Sequence, residues 1–153
     1  MITIDNLKKQ FGETCACDIP SFTINDGAIL GLVGNNGAGK TTHFRLLLDL
    51  LKADEGSVNY VFPLPDASGI VETEGTEGTV AINPTESEAW KQHVGACIDE
   101  GFLIDFLTPE EYFAFLGKVS GISQQEVVER LKQFERFANG EVFGQKKLIR
   151  NLS

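Results

Sequence analysis

A glycine-rich loop between an apolar run and a leucine-rich segment constrains the fold of this chain more than any other feature. The loop covers residues 34–41 and reads GNNGAGKT, with glycines at its first and sixth positions, followed by lysine and threonine. Residues 28–33 before it are apolar, and leucines at helical spacing follow it from Phe44 to Leu51. A strand, a loop of this kind and a helix in that order predict an α/β fold, with the loop at the N-terminus of the helix.

The residue types in the loop suit a multiply charged triphosphate. Glycine lets the backbone turn its N–H groups toward phosphate oxygens, and a helix N-terminus attracts negative charge. Lys40 supplies a positive charge for the β- and γ-phosphates, and the Thr41 hydroxyl is predicted to bind Mg²⁺. The flanking strand and helix favour this interpretation over a chance match in a glycine-rich turn. The residues predicted to hold the nucleotide are Gly34, Asn35, Asn36, Gly37, Ala38, Gly39, Lys40, Thr41 and Thr42.

Composition limits the classes of partner. The 153 residues carry 13 basic and 22 acidic side chains, a formal net charge of −9, which argues against a nucleic-acid-binding protein held mainly by charge. No apolar run approaches the roughly 20 residues that cross a bilayer, so we expect no membrane span in this chain. The three cysteines, Cys15, Cys17 and Cys97, lack the spacing of a metal site and are predicted to be reduced thiols.

Hydrophobic patterning predicts the other elements. Strands are expected at 1–7, 21–24, 29–33, 58–62 and 79–82, with a turn at 8–12. The strand at 29–33 shows no alternation and is therefore predicted to be buried on both faces. Residues 63–78 lack periodicity and are predicted to form an exposed loop or hairpin tip. Capping-box patterns start helices after Thr108 and Ser123, and Asn139 followed by glycine ends the second helix.

Three further stretches surround the loop in a recognisable order. Residues 7–12 precede it, residues 90–100 follow it, and residues 149–153 end in leucine and serine. Together they resemble the nucleotide-binding domain of ATP-binding-cassette (ABC) transporters, and a bacterial-type exporter is the kind that the resemblance favours. The resemblance covers nearly the whole chain apart from the stretch at 63–78.

The resemblance implies roles for three residues outside the loop. Phe11 corresponds to the aromatic residue that stacks on adenine, whereas without the resemblance a phenylalanine buried at a strand end would be expected. Asp99 stands where the family usually has glutamine, and it is expected to reach Mg²⁺, directly or through water, on the γ-phosphate side. Because Asp is shorter than Gln and charged, this position departs from the family pattern. Ser153 is expected to bind the γ-phosphate of ATP held by a second domain.

The implied fold is an α/β P-loop NTPase core with an antiparallel β-subdomain and part of the α-helical subdomain. Residues 1–98 are expected to form the core with the β-subdomain, and residues 99–153 the helical subdomain. In the family, the Walker B strand, the catalytic glutamate and the switch histidine follow the signature, so we expect the chain to be truncated before them. The implied activity is that of an ABC-type ATPase that does not hydrolyse ATP on its own.

The resemblance also implies cofactors and partners. These are ATP with Mg²⁺, a separate transmembrane permease subunit and a second nucleotide-binding domain, at a cytoplasmic position peripheral to the inner membrane. Two alternatives remain open: a non-hydrolysing nucleotide-binding fragment, and another phosphate-loop protein such as a small-molecule kinase. A kinase needs basic lid residues, whereas the region 100–135 is acidic and aromatic.

Overall fold

The computed structural model of the chain describes residues 1–63, 79–98, 101 and 103–152. The chain divides into two compact units, residues 1–98 and residues 99–153. The loop predicted at 63–78 lies outside the described residues apart from its first residue. In the described part of the chain, no helix has the length and apolar character needed to cross a membrane.

Four antiparallel strands form the sheet of the first unit. They are β1 (Ile2–Phe11), β2 (Thr14–Ile24), β3 (Glu55–Pro63) and β4 (Thr79–Ile82), in the order β2-β1-β3-β4. β4 has the predicted bounds, and its first residue, Thr79, pairs with Pro63 at the end of β3. The unit also contains the helix α1 (Lys40–Leu47) and a 3₁₀ turn at Ala89–Gln92.

The hairpin of β1 and β2 is longer than the sequence predicted. β1 continues through the predicted turn at 8–12, because Lys9 pairs with Cys17 and Phe11 with Thr14. The turn is confined to the residues between the two strands, where Gly12 has a φ of +59°. The polar residues of this segment show no strand pattern in the sequence. They form a strand all the same, because tertiary pairing overrides local β-propensity.

β1 bends where it faces the start of β3. The pairing of these two strands shifts in register between Asp5 and Lys8, and Asn6 has a φ of +46°. Gly56 on β3 has a φ of +81°, and a Cβ there would lie 2.2 Å from the carbonyl oxygen of Asn6. Glycine is therefore required at this point of β3, both for its backbone conformation and for the close approach of β1.

The sheet and α1 share one hydrophobic core. Tyr60 on β3 is 2% exposed, and its hydroxyl donates a hydrogen bond of 3.0 Å to the carbonyl oxygen of Leu47 at the end of α1. The Trp90 ring stacks on the Tyr60 ring with a centroid distance of 5.1 Å. The buried side chains of this core are Ile4, Leu7, Cys17, Leu46, Leu47, Val58, Tyr60 and Trp90.

α1 begins where the loop predicted and ends earlier than the leucine pattern predicted. It begins at Lys40, within the glycine loop, and ends at Leu47. Asp49 adopts a φ of +51°, and the N–H of Leu50 donates to the carbonyl oxygen of Arg45 at 2.9 Å. This left-handed ending with a bond back to the last helical turn is a Schellman motif, which stops the helix although apolar residues continue.

The apolar run before the loop is not a strand, so the predicted strand at 29–33 is wrong for this chain. Its side chains face outward, with Ile29 99% and Val33 92% exposed. A strand buried on both faces needs hydrogen-bonded neighbours and packed layers above and below. Among the described residues, all strand pairing belongs to the antiparallel sheet, which does not include this run.

The described part of the second unit is helical. Its elements are α2 (Pro109–Val119), α3 (Gln124–Lys132), α4 (Glu135–Ala138) and a 3₁₀ turn at Ile149–Asn151. The predicted capping box of α2 is confirmed, since Thr108 Oγ1 accepts from the Glu111 N–H at 3.3 Å and Glu111 Oε2 accepts from the Thr108 N–H at 2.9 Å. Ser123 caps α3 as predicted. The single helix predicted from there to Asn139 is divided into α3 and α4.

Candidate nucleotide-binding site

The glycine loop adopts the left-handed backbone that glycine tolerates best. Gly37 has a φ of +85° and Gly39 a φ of +84°. The N–H of Ala38 donates to the carbonyl oxygen of Asn35 at 3.1 Å and closes a tight turn over residues 35–38. Gly39 directly precedes α1, so the loop leads into the helix without an intervening residue.

The N-terminus of α1 has backbone N–H donors that form no hydrogen bond within the helix. The N–H of His43 donates to the carbonyl oxygen of Gly39 at 2.8 Å and makes the first bond of the helical type. The N–H groups of Lys40, Thr41 and Thr42 therefore precede the helical ladder. This end of a helix carries partial positive charge, so these donors suit an anion.

Lys40 places a full positive charge at the same position. Its Nζ donates to the carbonyl oxygens of Gly34 at 2.6 Å and Asn35 at 2.8 Å. The ammonium group is thereby held against the first two residues of the loop. Backbone donors and a cation on one short loop can bind several oxygens of a phosphate chain at once.

β2 packs directly against the loop. A Cβ on Gly39 would lie 2.0 Å from the carbonyl oxygen of Ala16, which is far inside any allowed contact. Ala16 lies opposite the register shift between Lys9 and Gln10, so β2 carries an extra residue at this point. Sequence reasoning missed Ala16, because the glycine spacing indicates a close approach to Gly39 without indicating which strand approaches.

A cleft of about 530 Å³ lies between β2 and the loop. Burial lowers the pKa of His43 in this cleft, and burial together with the nearby Cys15 and Asp18 raises the pKa of Cys17. Both side chains are therefore neutral at pH 7, and the positive charge of the lining comes from Lys40. The lining residues are Cys15, Ala16, Cys17, Asp18, Ile19, Phe22, Leu32, Val33, Ala38, Gly39, Lys40 and His43.

Phe11 lies at the end of β1 with its ring accessible. The side chain is 52% exposed, so the alternative of a phenylalanine buried at a strand end does not hold. The Lys9 ammonium lies over the ring, 5.6 Å from its centroid. An exposed ring of this kind can stack on a planar group, and adenine stacking stays a prediction.

The other predicted site residues fall into two groups. Thr41 and Thr42 lie in the first turn of α1, the first exposed and the second half-buried. Asp99 and Ser153 lie outside the described residues, so their roles stay predictions. Within the parts of the chain that the structure describes, no cluster of three or more histidine, cysteine or acidic side chains could hold a metal ion.

Comparison with known families matches residues 17–153 to the ABC transporter family. The chain belongs to this family. The match includes the glycine loop and α1, and it confirms the resemblance to an ABC nucleotide-binding domain. ABC membership implies ATP binding and a P-loop NTPase fold, and the antiparallel sheet and helices are consistent with that fold.

Similar ABC proteins are named as ATP-binding proteins. The methionine import ATP-binding protein MetN of Rhizobium johnstonii is 28% identical over 130 residues, which are 85% of this chain and 32% of the relative. The linearmycin resistance ATP-binding protein LnrL of Bacillus subtilis is 29% identical over 130 residues, 85% of this chain and 36% of the relative. The tungstate uptake system ATP-binding protein TupC of Peptoclostridium acidaminophilum is 42% identical over 59 residues, 39% of this chain and 28% of the relative. The chain thus spans about a third of the length of these relatives.

Proposed function

We propose that this chain is the nucleotide-binding portion of an ABC transporter ATPase, which binds Mg-ATP and acts with a separate permease subunit. The loop around Lys40 carries this proposal, because it combines a cation bonded to Gly34 and Asn35 with the N-terminus of α1. The backbone N–H groups of residues 36–42 and the Lys40 ammonium are assigned to the phosphates. Bound Mg-ATP would supply the phosphoryl group that such ATPases transfer to water.

The remaining roles follow the family pattern. Thr41 is assigned to Mg²⁺, and its position in the first turn of α1 supports this. Phe11 is assigned to the base, supported by its exposed ring. Asp99 is assigned to the γ-phosphate side and to Mg²⁺, and Ser153 is assigned to the γ-phosphate of ATP held by a second nucleotide-binding domain.

The two units are assigned to two parts of the ABC domain. Residues 1–98 are the core with its antiparallel β-subdomain, and residues 99–153 belong to the helical subdomain, which the division of the structure into these units supports. Because the Walker B strand, catalytic glutamate and switch histidine of the family follow the signature, this chain alone is expected to bind ATP without hydrolysing it.

In a complete transporter, the partners would be a permease subunit and a second nucleotide-binding domain, at the cytoplasmic face of the inner membrane. The names of the similar proteins include import, uptake and resistance. They assign neither cargo nor direction to this chain, and an exporter stays a prediction. Family membership favours this function over a small-molecule kinase.

Calorimetry with Mg-ATP and a phosphate-release assay test the proposal on the 153-residue chain. We expect ATP to bind and Lys40→Ala to weaken binding by about tenfold or more, the loss expected for a hydrogen-bonding cation. Lys91→Ala is the matched control, because Lys91 is an exposed lysine of the same unit that pairs with Glu88. An unchanged affinity of Lys40→Ala for Mg-ATP would contradict the assignment of the loop to the phosphates. Phosphate release above background by the unsubstituted chain, abolished in Lys40→Ala, would contradict the proposal that the chain does not hydrolyse ATP.

A further inference from the structure

Asp54, the residue immediately before β3, holds the end of β1. The pairing of β1 with β3 stops at Lys8 and Glu55, so the last residues of β1 lack a strand on that side. Asp54 takes the place of the missing strand. Its N–H donates to the carbonyl oxygen of Lys8 at 2.9 Å, and its Oδ2 accepts from the N–H of Gln10 at 2.7 Å. The carboxylate thus accepts a backbone hydrogen bond from β1 where a neighbouring strand would otherwise accept it.

Asp54 also fixes Lys9. Its Oδ1 accepts from Lys9 Nζ at 2.9 Å, and the Lys9 side chain is 14% exposed, unlike the exposed lysine of the Lys91–Glu88 pair. The Lys9 ammonium in turn lies over the Phe11 ring at a distance suited to a cation–π interaction. The hydrogen bond from Lys9, with a smaller contribution from the Gln10 N–H, lowers the pKa of Asp54, so the carboxylate is charged at neutral pH.

We propose that Asp54 is a positioning residue for the nucleotide base. The inference rests on the proposed function, in which Phe11 stacks on the base. Asp54 fixes the end of β1 through Gln10 and holds the Lys9 ammonium against one face of the Phe11 ring. The opposite face is then presented to the base in one orientation. These hydrogen bonds go to the end of β1 and not to the glycine loop, so phosphate binding does not depend on them.

Calorimetry with two ligands separates the base from the phosphates. Mg-ATP carries both, whereas magnesium tripolyphosphate carries the phosphate chain without a base. We expect Asp54→Ala to raise the dissociation constant for Mg-ATP by about threefold to tenfold, the loss of a cation–π contact and a charged hydrogen bond. Binding of tripolyphosphate is expected to stay unchanged.

A second pair of variants tests whether Asp54 acts through Phe11. In a Phe11→Leu chain, adding Asp54→Ala is expected to weaken Mg-ATP no further, because the ring that it positions is absent. Asp54→Asn is expected to have an intermediate effect, since it keeps an acceptor for the Gln10 N–H and loses the charge that holds Lys9. This variant decides the question if Asp54→Ala does not fold.

Glu88→Gln is the matched control, because it breaks another lysine–carboxylate pair of the first unit, away from β1. It is expected to leave the binding of both ligands unchanged. Equal weakening of ATP and tripolyphosphate by Asp54→Ala, or full weakening of ATP in the Phe11→Leu chain, would overturn the positioning role. If the unsubstituted chain bound neither ligand, the proposed function itself would be wrong and this inference with it. Normal tripolyphosphate binding with an unaltered ATP affinity in Asp54→Ala would overturn the inference alone.

Discussion

Gly39 meets two separate demands at the junction of the loop and α1. Its φ of +84° favours glycine, and the carbonyl oxygen of Ala16 occupies the space of a side chain. We expect Gly39→Ala to lower the free energy of unfolding by more than about 2 kcal/mol, because the clash is with backbone and neither strand nor loop can move freely. Urea denaturation followed by Trp90 fluorescence measures this change.

Gly12→Ala distinguishes the cost of a positive φ from the cost of the clash with the backbone. Gly12 also has a positive φ, +59°, but a Cβ there would meet nothing within 4 Å. Its substitution is therefore expected to cost only the backbone strain, about 1 kcal/mol. Equal losses in the two variants would show that the contact with Ala16 does not matter for Gly39.

At the scale of elements, Tyr60 joins β3 to the end of α1. Burial raises its pKa from 10.0 to about 12. The folded protein therefore keeps the phenolic proton to a higher pH than the unfolded chain does. The stability that this provides is fully present below pH 10 and is lost as the pH rises through about 12.

We expect the free energy of unfolding of the unsubstituted chain to fall by about 2–3 kcal/mol more than that of Tyr60→Phe as the pH rises through this range. The reason is that phenylalanine has no proton to lose, while all other titratable groups are the same in both proteins. Urea denaturation at a series of alkaline pH values measures the difference. Parallel stability curves for the two proteins would contradict it.

The elements also show which features local sequence can predict. The start of α2 was predicted because Thr108 and Glu111 lie three residues apart and their capping box needs no distant partner. The strand at 29–33 was not predicted correctly, because its existence depends on neighbours in space. The hairpin of β1 and β2 was underestimated for the converse reason, since polar residues such as Lys9 become part of a strand through pairing alone.

The same distinction applies to the candidate site. The motif predicted the left-handed conformations of Gly37 and Gly39 and the position of Lys40 at the helix start, because these follow from a contiguous stretch of sequence; Gly34 does not adopt a positive φ. Ala16 and Asp54 could not be predicted, since Ala16 lies on β2, Asp54 lies just before β3, and both are ordinary residue types. Their contribution becomes visible only when β2 and the start of β3 are placed beside the loop and β1.

At the scale of the whole molecule, the exposed apolar run 29–33 is a surface on which copies of this chain can associate. We expect the unsubstituted chain to self-associate as its concentration rises, and the double variant Ile29→Asp, Val33→Asp to remain monomeric, because two charges oppose burial of the run. Sedimentation velocity over a concentration series measures both.

The double variant Gln124→Glu, Gln125→Glu controls for added charge, since it introduces the same two negative charges on the exposed start of α3. It is expected to associate as the unsubstituted chain does. Monomers of the unsubstituted chain at every concentration, or equal association of all three proteins, would contradict the assignment of this surface.

The pairing of Pro63 with Thr79 has a practical consequence for building tools from this protein. The two strand ends are already neighbours, so the connection between them can change in length with little effect on the register of the sheet. Each doubling of the length of a connection adds only about 0.6 kcal/mol of closure entropy. A fluorescent reporter or affinity tag inserted within residues 64–78 would follow the protein in binding assays while leaving the glycine loop and Phe11 in their native sequence.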